Sequence, residues 1–492
     1  MMYFLTLSKN DLGKRLDPGH YCPELLKMKY LVEKHFKSIS FSTACKRMNS
    51  GPFGSALHAS SYVNSENGVI FIRPQDCKDL IVNTNNKNVF ISHSDHNRLK
   101  SSQFSSGSII ITKIGNGIGD MAIVPTNITT CNISGNAMGA ILKDYDPYCA
   151  IAYLRSKYGQ AEVKRGLSGG PKPKIDMGSI SDIIFPLFQN KTQKYIGDKV
   201  RQAEQLREWA NQKIKLADRV ISKNFIYAQI PSMRENPHFI SPKLLTSISL
   251  GPEFTRGLEG QKTFGESINF SEVLCSCKCG DAISGDNRIQ GEYPYYGASG
   301  PIDTHNSYNF EGEFLIIAQD GSIGCTNISR GKIWANNHVW VVKIKDEFDL
   351  DTIAHFLKKH FPYWKSITTG SVVPKITQES LYSIKIPTVI AQDKTTGSLL
   401  RKASIAKESA KMCVELAKFL VEKLIEGQII EQQLIDAQNA LEAGDNSLDR
   451  DILSRVTDKG VAIEGKPLFD DLDKLYDLLQ ESQEAIEQKG DK

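Results

Sequence analysis

The period of apolar positions changes along this chain in the same order twice. Gly107-Ser-Ile-Ile-Ile-Thr-Lys-Ile-Gly-Asn-Gly-Ile-Gly119 runs apolar residues into a glycine-rich stretch, and Gly312-Glu-Phe-Leu-Ile-Ile-Ala-Gln-Asp-Gly-Ser-Ile-Gly324 does so again, with glycines twelve apart at both ends. Each predicts strand, tight turn, strand. Asn136 then leads an apolar stretch as Asn337 does, and Ile151-Ala152 matches Ile353-Ala354 at the start of a short helix. Gly169, Pro173-Lys174-Ile175, Ile183 and Pro186 reappear as Gly370, Pro374-Lys375-Ile376, Ile384 and Pro387, every one displaced by 201. A shared spacing of this length, with its prolines and glycines, predicts two copies of one domain. Each copy closes with a glycine-rich loop, a Pro-Lys-Ile turn and a short strand ended by proline.

After each copy the period lengthens from two to about three and a half. Ala403, Ala406, Ala410, Cys413, Ala417, Leu420 and Leu424 alternate steps of three and four, the seam of a coiled coil. Ala203, Leu206, Ala210, Ala217 and Val220 keep that phase 200 residues earlier, interrupted at Lys213. So much alanine allows close approach, and the economical arrangement packs the first helix against the second. At 1.5 Å per residue the first helix would span about 50 Å and keep the two copies from sharing a core. The expected fold is α+β: two domains in tandem, separated by long antiparallel coiled-coil helices, with a helical C-terminal extension. The boundaries are 1–190 for the first domain, 191–230 for the first helix, 235–390 for the second domain, 393–428 for the second helix and 429–492 for the extension.

Composition alters this picture in one respect. The net charge of the 492 residues is only +4, yet residues 426–492 hold 17 acidic against 7 basic groups, leaving 53 basic and 39 acidic in the rest. A basic body attracts phosphate backbones through counterion release; an acidic tail suits a protein contact or a solvated cap. No apolar run is long enough to span a bilayer, and the first residues lack the pattern of a secretory signal, so the expectation is a cytoplasmic chain without a membrane segment. The ten cysteines are scattered, apart from Cys275, Cys277 and Cys279. No fourth ligand follows them at finger-like spacing, and strand alternation would place all three on one buried face, so no metal site is expected.

Catalytic constellations are missing from the sequence. There is no P-loop and no H-E-x-x-H, and Asn236-Pro-His-Phe239 departs from the N-P-P-F type of adenine-modifying pocket at its second proline. The polar groups that remain flank the repeated strands: Lys113, Asn116, Lys172 and Lys174 in the first copy, and Gln319, Asp320, Ser322, Ser371 and Lys375 in the second. Similar glycines around differing polar tips suit two readers of different base sequences. Tyr295, Tyr296 and Ser299 in Tyr293-Pro-Tyr-Tyr-Gly-Ala-Ser-Gly300, and Asn336, Asn337 and His338 in Trp334-Ala-Asn-Asn-His-Val-Trp340, add aromatic and amide groups beside the second hairpin.

In these motifs, with Phe314-Leu-Ile-Ile-Ala-Gln-Asp-Gly-Ser-Ile-Gly324 and Gly370-Ser-Val-Val-Pro-Lys375, the chain resembles the specificity subunits of type I restriction-modification systems and of bipartite DNA methyltransferases. The first copy lacks the Tyr-Tyr-Gly and Asn-Asn-His elements. The resemblance implies two target-recognition domains, each reading half of a split site in double-stranded DNA, with no catalytic site and no cofactor in this chain. It further implies helices that dock two modification subunits carrying S-adenosylmethionine and methylating adenine, joined by a restriction translocase where the system has one. The competing expectation is a non-enzymatic scaffold whose two domains bind protein.

Overall fold

The computed structural model describes residues 18–52, 56–84, 87–168, 173–223, 266–361, 363–369, 374–457 and 459–490. Two compact units emerge, one of Met1–Trp209 with Ala406–Lys492 and one of Ala210–Ile405. Among the described residues, no helix is long and apolar enough to cross a membrane.

The first unit holds eleven strands among its described residues: β1 (Ser38–Ser40), β2 (Cys45–Ser50), β3 (Tyr62–Val63), β4 (Gly68–Ile72), β5 (Val89–Ser92), β6 (Gln103–Phe104), β7 (Ile109–Thr112), β8 (Met121–Ile123), β9 (Cys131–Ile133), β10 (Ala137–Leu142) and β11 (Ile184–Pro186). They form sheets ordered β2-β10-β7-β8 and β3-β5-β4-β9-β6, and a separate ribbon, β1-β11. All four residues of β7 are buried. Isoleucine fits such a strand, covered on both faces and requiring branched apolar side chains along its length.

The second unit contains β12 (Ser267–Asn269), β13 (Leu274–Cys279), β14 (Tyr293–Gly297), β15 (Gly300–His305), β16 (Phe310–Ala318), β17 (Thr326–Ala335), β18 (Val339–Ile344) and β19 (Lys385–Pro387). Its main sheet is ordered β13-β18-β16-β17-β14-β15. The period of two sorts β16 between two cores: Leu315 and Ile317 pack with Val342, Phe356 and Ile376, while Ile316 packs with Ile333, Val341 and Tyr296.

The two folds share one strand order in their main sheets. The order β2-β10-β7-β8 matches β13-β18-β16-β17, and the parallel pair β4 and β9 matches β14 and β17. The long β17 thus spans what β8 and β9 divide between them. The terminal ribbons have one register, Ser38↔Pro186 through Ser40↔Ile184 and Ser267↔Pro387 through Asn269↔Lys385. Each ribbon is extended by one bond, Phe41 N–H to Ile183 O at 2.8 Å and Phe270 N–H to Ile384 O at 2.7 Å. Gly119 and Gly324 both take left-handed φ, at 83° and 76°. A Cβ at Gly119 would collide with Val163, and one at Gly324 with the ring of Trp364, residues themselves 201 apart.

The long helices, Asn190–Lys223 and Lys394–Ile425, begin in the same way. Asp146 caps the helix Pro147–Arg155, and Asp349 caps Leu350–His355. Each capping carboxylate then meets a long helix: Asp146 accepts from Arg201 at 2.7 Å and Asp349 pairs with Arg401. Four residues before each arginine, Gly197 and Gly397 leave the space these carboxylates occupy, since a Cβ there would strike them. The seam residues Ala203, Leu206, Ala210, Ala217, Ala403, Ala406, Ala410, Cys413, Ala417, Leu420 and Leu424 are all buried. Val220 is half-buried, and its neighbour Ile221 takes the core position instead.

The acidic extension folds onto the first unit through the helices Glu431–Glu442, Ser447–Ser454 and Leu472–Gly490. Glu442 pairs with Lys191, and Glu431 accepts the Gln189 N–H at 2.8 Å. The extension's acidic charge is therefore partly matched against basic groups of its own chain. Deeper in, Lys199 and Asp449 form a buried ion pair at 2.6 Å, each 1% exposed.

Candidate nucleic-acid interface

In the second unit the tip of the β16–β17 hairpin is fixed from two sides. Gln319 N–H donates to His338 O at 3.0 Å, and Gln319 O accepts from Ile376 N–H at 2.7 Å. The loop before Ile376 is closed by reciprocal bonds between Thr369 and Lys375, both 2.8 Å. Three segments distant in sequence are thereby brought together: the tip, the Asn336–His338 turn and the Thr369↔Lys375 bridge. Asp320 lies among them, 7% exposed, hydrogen-bonded to His338 Nδ1 at 2.8 Å and 3.5 Å from Lys375 Nζ. A buried carboxylate there orients two exposed cationic or donor side chains. Beside it Ser299 and Ser322, both exposed, share a hydrogen bond of 3.1 Å.

Asn336 and Asn337 divide in role. Asn336 is buried and accepts the His338 N–H at 2.9 Å, fixing the turn, whereas Asn337 is exposed and its carbonyl receives the Gln319 amide. The candidate residues Tyr295 and Tyr296 are both buried. Tyr296 is core, its hydroxyl 3.4 Å from Ile328 O, and Tyr295 is covered by the Arg288 guanidinium, 5.1 Å from its ring centre. Neither ring presents a face on which a base could stack.

The first unit builds the same frame with different side chains. Lys113 N–H donates to Asn136 O at 2.8 Å, Lys113 O accepts from Ile175 N–H at 3.1 Å, and Ser168 and Lys174 close their loop at 2.9 and 2.8 Å. Lys113 thus holds the backbone position of Gln319. Its ammonium reaches Ser50 Oγ at 3.1 Å, and burial holds its pKa below the usual lysine value. In the second unit Gln319 Nε2 approaches Cys279 Sγ at 3.4 Å, so the tip side chain meets the last residue of the edge strand in both copies. Asn116, at the apex between left-handed Gly115 and Gly117, is exposed, as is Lys174. Lys172, Ser371 and the Asn236–Phe239 segment lie outside the described residues.

The cysteine cluster differs from expectation. Cys275 and Cys279 are exposed and Cys277 is half-buried: β13 lies at the edge of its sheet and shifts register between Leu274 and Ser276. Such a bulge breaks strict alternation of faces. Burial pushes the Cys277 thiol up to about 12, so it stays protonated. The paired Asp-Gly-Arg anchors, Asp146 with Gly197 and Arg201, and Asp349 with Gly397 and Arg401, went unread in the sequence. Their signal was the Gly-x-x-x-Arg repeat 200 residues apart.

Residues 266–402 match the family described as type I restriction modification DNA specificity domain. A putative type I restriction enzyme specificity subunit of Haemophilus influenzae is 39% identical over 106 residues, covering 20% of this chain and 26% of the relative. The chain thus aligns with about a quarter of that relative's length. Among solved structures, a type I restriction-modification S subunit from M. genitalium is 16% identical with a TM-score of 0.41, covering 82% of this chain and 96% of that one. An HsdS subunit from Thermoanaerobacter tengcongensis is 13% identical with a TM-score of 0.27, covering 80% and 97%. Structural likeness at that level carries no functional weight. The match to this family lies within the second domain, and the first domain repeats that domain's main strand order and loop bonding.

Proposed function

We propose that this chain is the specificity subunit of a type I restriction-modification or adenine-methylating complex, and that its two domains each read one part of a bipartite DNA site. One observation carries the reading most strongly: Lys113 and Gln319 hold the same backbone position, on the same hydrogen bonds, with different side chains. A frame held constant while its polar tip varies is what two readers of unlike half-sites require. Lys and Gln prefer different base edges: Lys donates to guanine O6 or N7, and Gln makes paired bonds to adenine. Lys174 and Lys375, exposed beside the tips, supply phosphate contacts that set register without reading sequence.

The chain itself performs no chemistry in this reading. It acts in the cytoplasm, and its long helices offer docking faces to two modification subunits that bring S-adenosylmethionine and the methyl-transfer site, with a restriction subunit joining in systems that cleave. A mobility-shift series at rising salt tests the binding claim. Affinity for a duplex containing the site falls steeply with salt, while preference over a scrambled duplex persists. Absent or sequence-blind binding would leave a protein-binding scaffold as the better account, and methyl transfer by the purified chain alone would overturn the non-catalytic assignment.

A further inference from the structure

We infer that Asp218, His355 and His360 form a divalent-cation site of the zinc class that fastens the first long helix to the second domain. Among the described residues, their ligand atoms converge to within 4.8 Å of one another. Asp218 Oδ1 is 2.8 Å from His355 Nε2 and 3.3 Å from His360 Nε2. Tetrahedral zinc with nitrogen and oxygen ligands at about 2.0–2.1 Å spaces those atoms by about 3.3 Å, so small side-chain movements would complete the geometry. Three protein ligands leave a fourth position for water.

The backbone is arranged to make this convergence possible. Two histidines five residues apart on an α-helix point about 140° away from each other. Here His355 ends an α-helix and Phe356–His360 is a single π-helical turn, whose wider circuit brings both imidazoles round to Asp218. Such turns are uncommon and concentrate at functional positions. The general fold does not demand imidazoles here, since the stretch that follows Ile151-Ala152 in the first copy, residues 153–159, contains no histidine.

The surroundings suit a metal as well. His360 is 4% exposed, and Phe356, Leu357 and Phe361 beside it belong to the adjoining core. Lys359 pairs with the other carboxylate oxygen of Asp218, the outer contact that orients a monodentate ligand. Sequence reading, confined to the cysteines, had no access to this set.

The test uses the full chain carrying Cys275→Ser and Cys279→Ser, to remove exposed thiolates, and stripped with a chelator. Calorimetric titration with zinc is expected to show a single equivalent bound, with a raised melting temperature. His355→Asn with His360→Gln should weaken binding by roughly a hundredfold or more, beyond what outer contacts alone contribute. Lys359→Met removes no ligand and should retain the single equivalent, which guards against a folding defect in the double variant. Cobalt(II) substitution should give ligand-field bands without sulfur-to-cobalt charge transfer. No zinc uptake by the parent, equal affinity in the double variant, or a thiolate charge-transfer band would each overturn the site.

Discussion

Substituting Asp449→Asn should cost the first unit about 3–5 kcal/mol, the usual penalty for removing one member of a buried ion pair. Lys199 Nζ lies 2.6 and 2.8 Å from the two Asp449 oxygens, and the hydroxyls of Tyr195 and Tyr476 each donate to the same carboxylate at 2.5 Å. Asparagine preserves the volume but leaves a buried ammonium without its counter-charge, in a place where Lys199 is 1% exposed. Against typical domain stabilities of about 5–15 kcal/mol, the loss is a large fraction. The pH dependence supplies a second check. Burial alone would push the Asp449 carboxyl up, yet Lys199 and the tyrosine hydroxyls hold it below the usual carboxylate range. Its contribution is therefore fully present above the unfolded value of about 3.9 and lost as pH falls through the folded one. Urea unfolding followed by far-ultraviolet circular dichroism should show parent and Asp449→Asn well separated at pH 7 and converging below about pH 4. A difference smaller than about 1 kcal/mol at pH 7, or one that persists unchanged into acid, would refute the reasoning.

Three further outcomes are expected from the interface and its frame. Lys174→Ala and Lys375→Ala should each weaken DNA binding about equally for all sequences and shallow the log–log salt slope by roughly 0.9, measured by fluorescence anisotropy; an unchanged slope would remove them from the phosphate contacts. Gln319→Ala and Asn337→Ala should relax discrimination at one half-site by about 1–3 kcal/mol and leave the other half-site alone, read from competition with single-base variants of the site. Gly324→Ala combines an unfavourable φ of 76° with a collision against Trp364, so its melting temperature should fall by several degrees, whereas Gly285→Ala, with open space at its Cβ, should change little.

The closing part of each domain was legible in sequence because nothing is inserted there: loop, short helix, ribbon strand and long helix keep a displacement of 200 or 201. The opening part was not, since Ser50 and Cys279, or Phe41 and Phe270, are 229 apart. The first copy spends more residues between β2 and β4, and more again between β4 and β7, than the second does between the counterpart strands, and it breaks one long strand into β8 and β9. A single offset cannot track such changes. Among site residues, those fixed by repeated backbone bonds, such as Lys113 and Gln319, stood out through their glycine frame. Tyr295 and Tyr296 misled because an alternating aromatic run looks alike whether its rings face solvent or core. His355 and His360 were invisible for a different reason: a spacing of five matches neither strand nor α-helix, and only the π-helical turn gives it meaning.

The central claim is that two domains of one chain read two separate parts of a DNA site, and selection of bound duplexes from a random library tests it most directly. The purified chain, with its modification subunits if these are needed for tight binding, should enrich two short sequence blocks at a fixed separation. A Gln319→Ala chain should then lose preference in one block, and a Lys113→Ala chain in the other. Enrichment of a single block, no enrichment, or a change in both blocks from either substitution would contradict it.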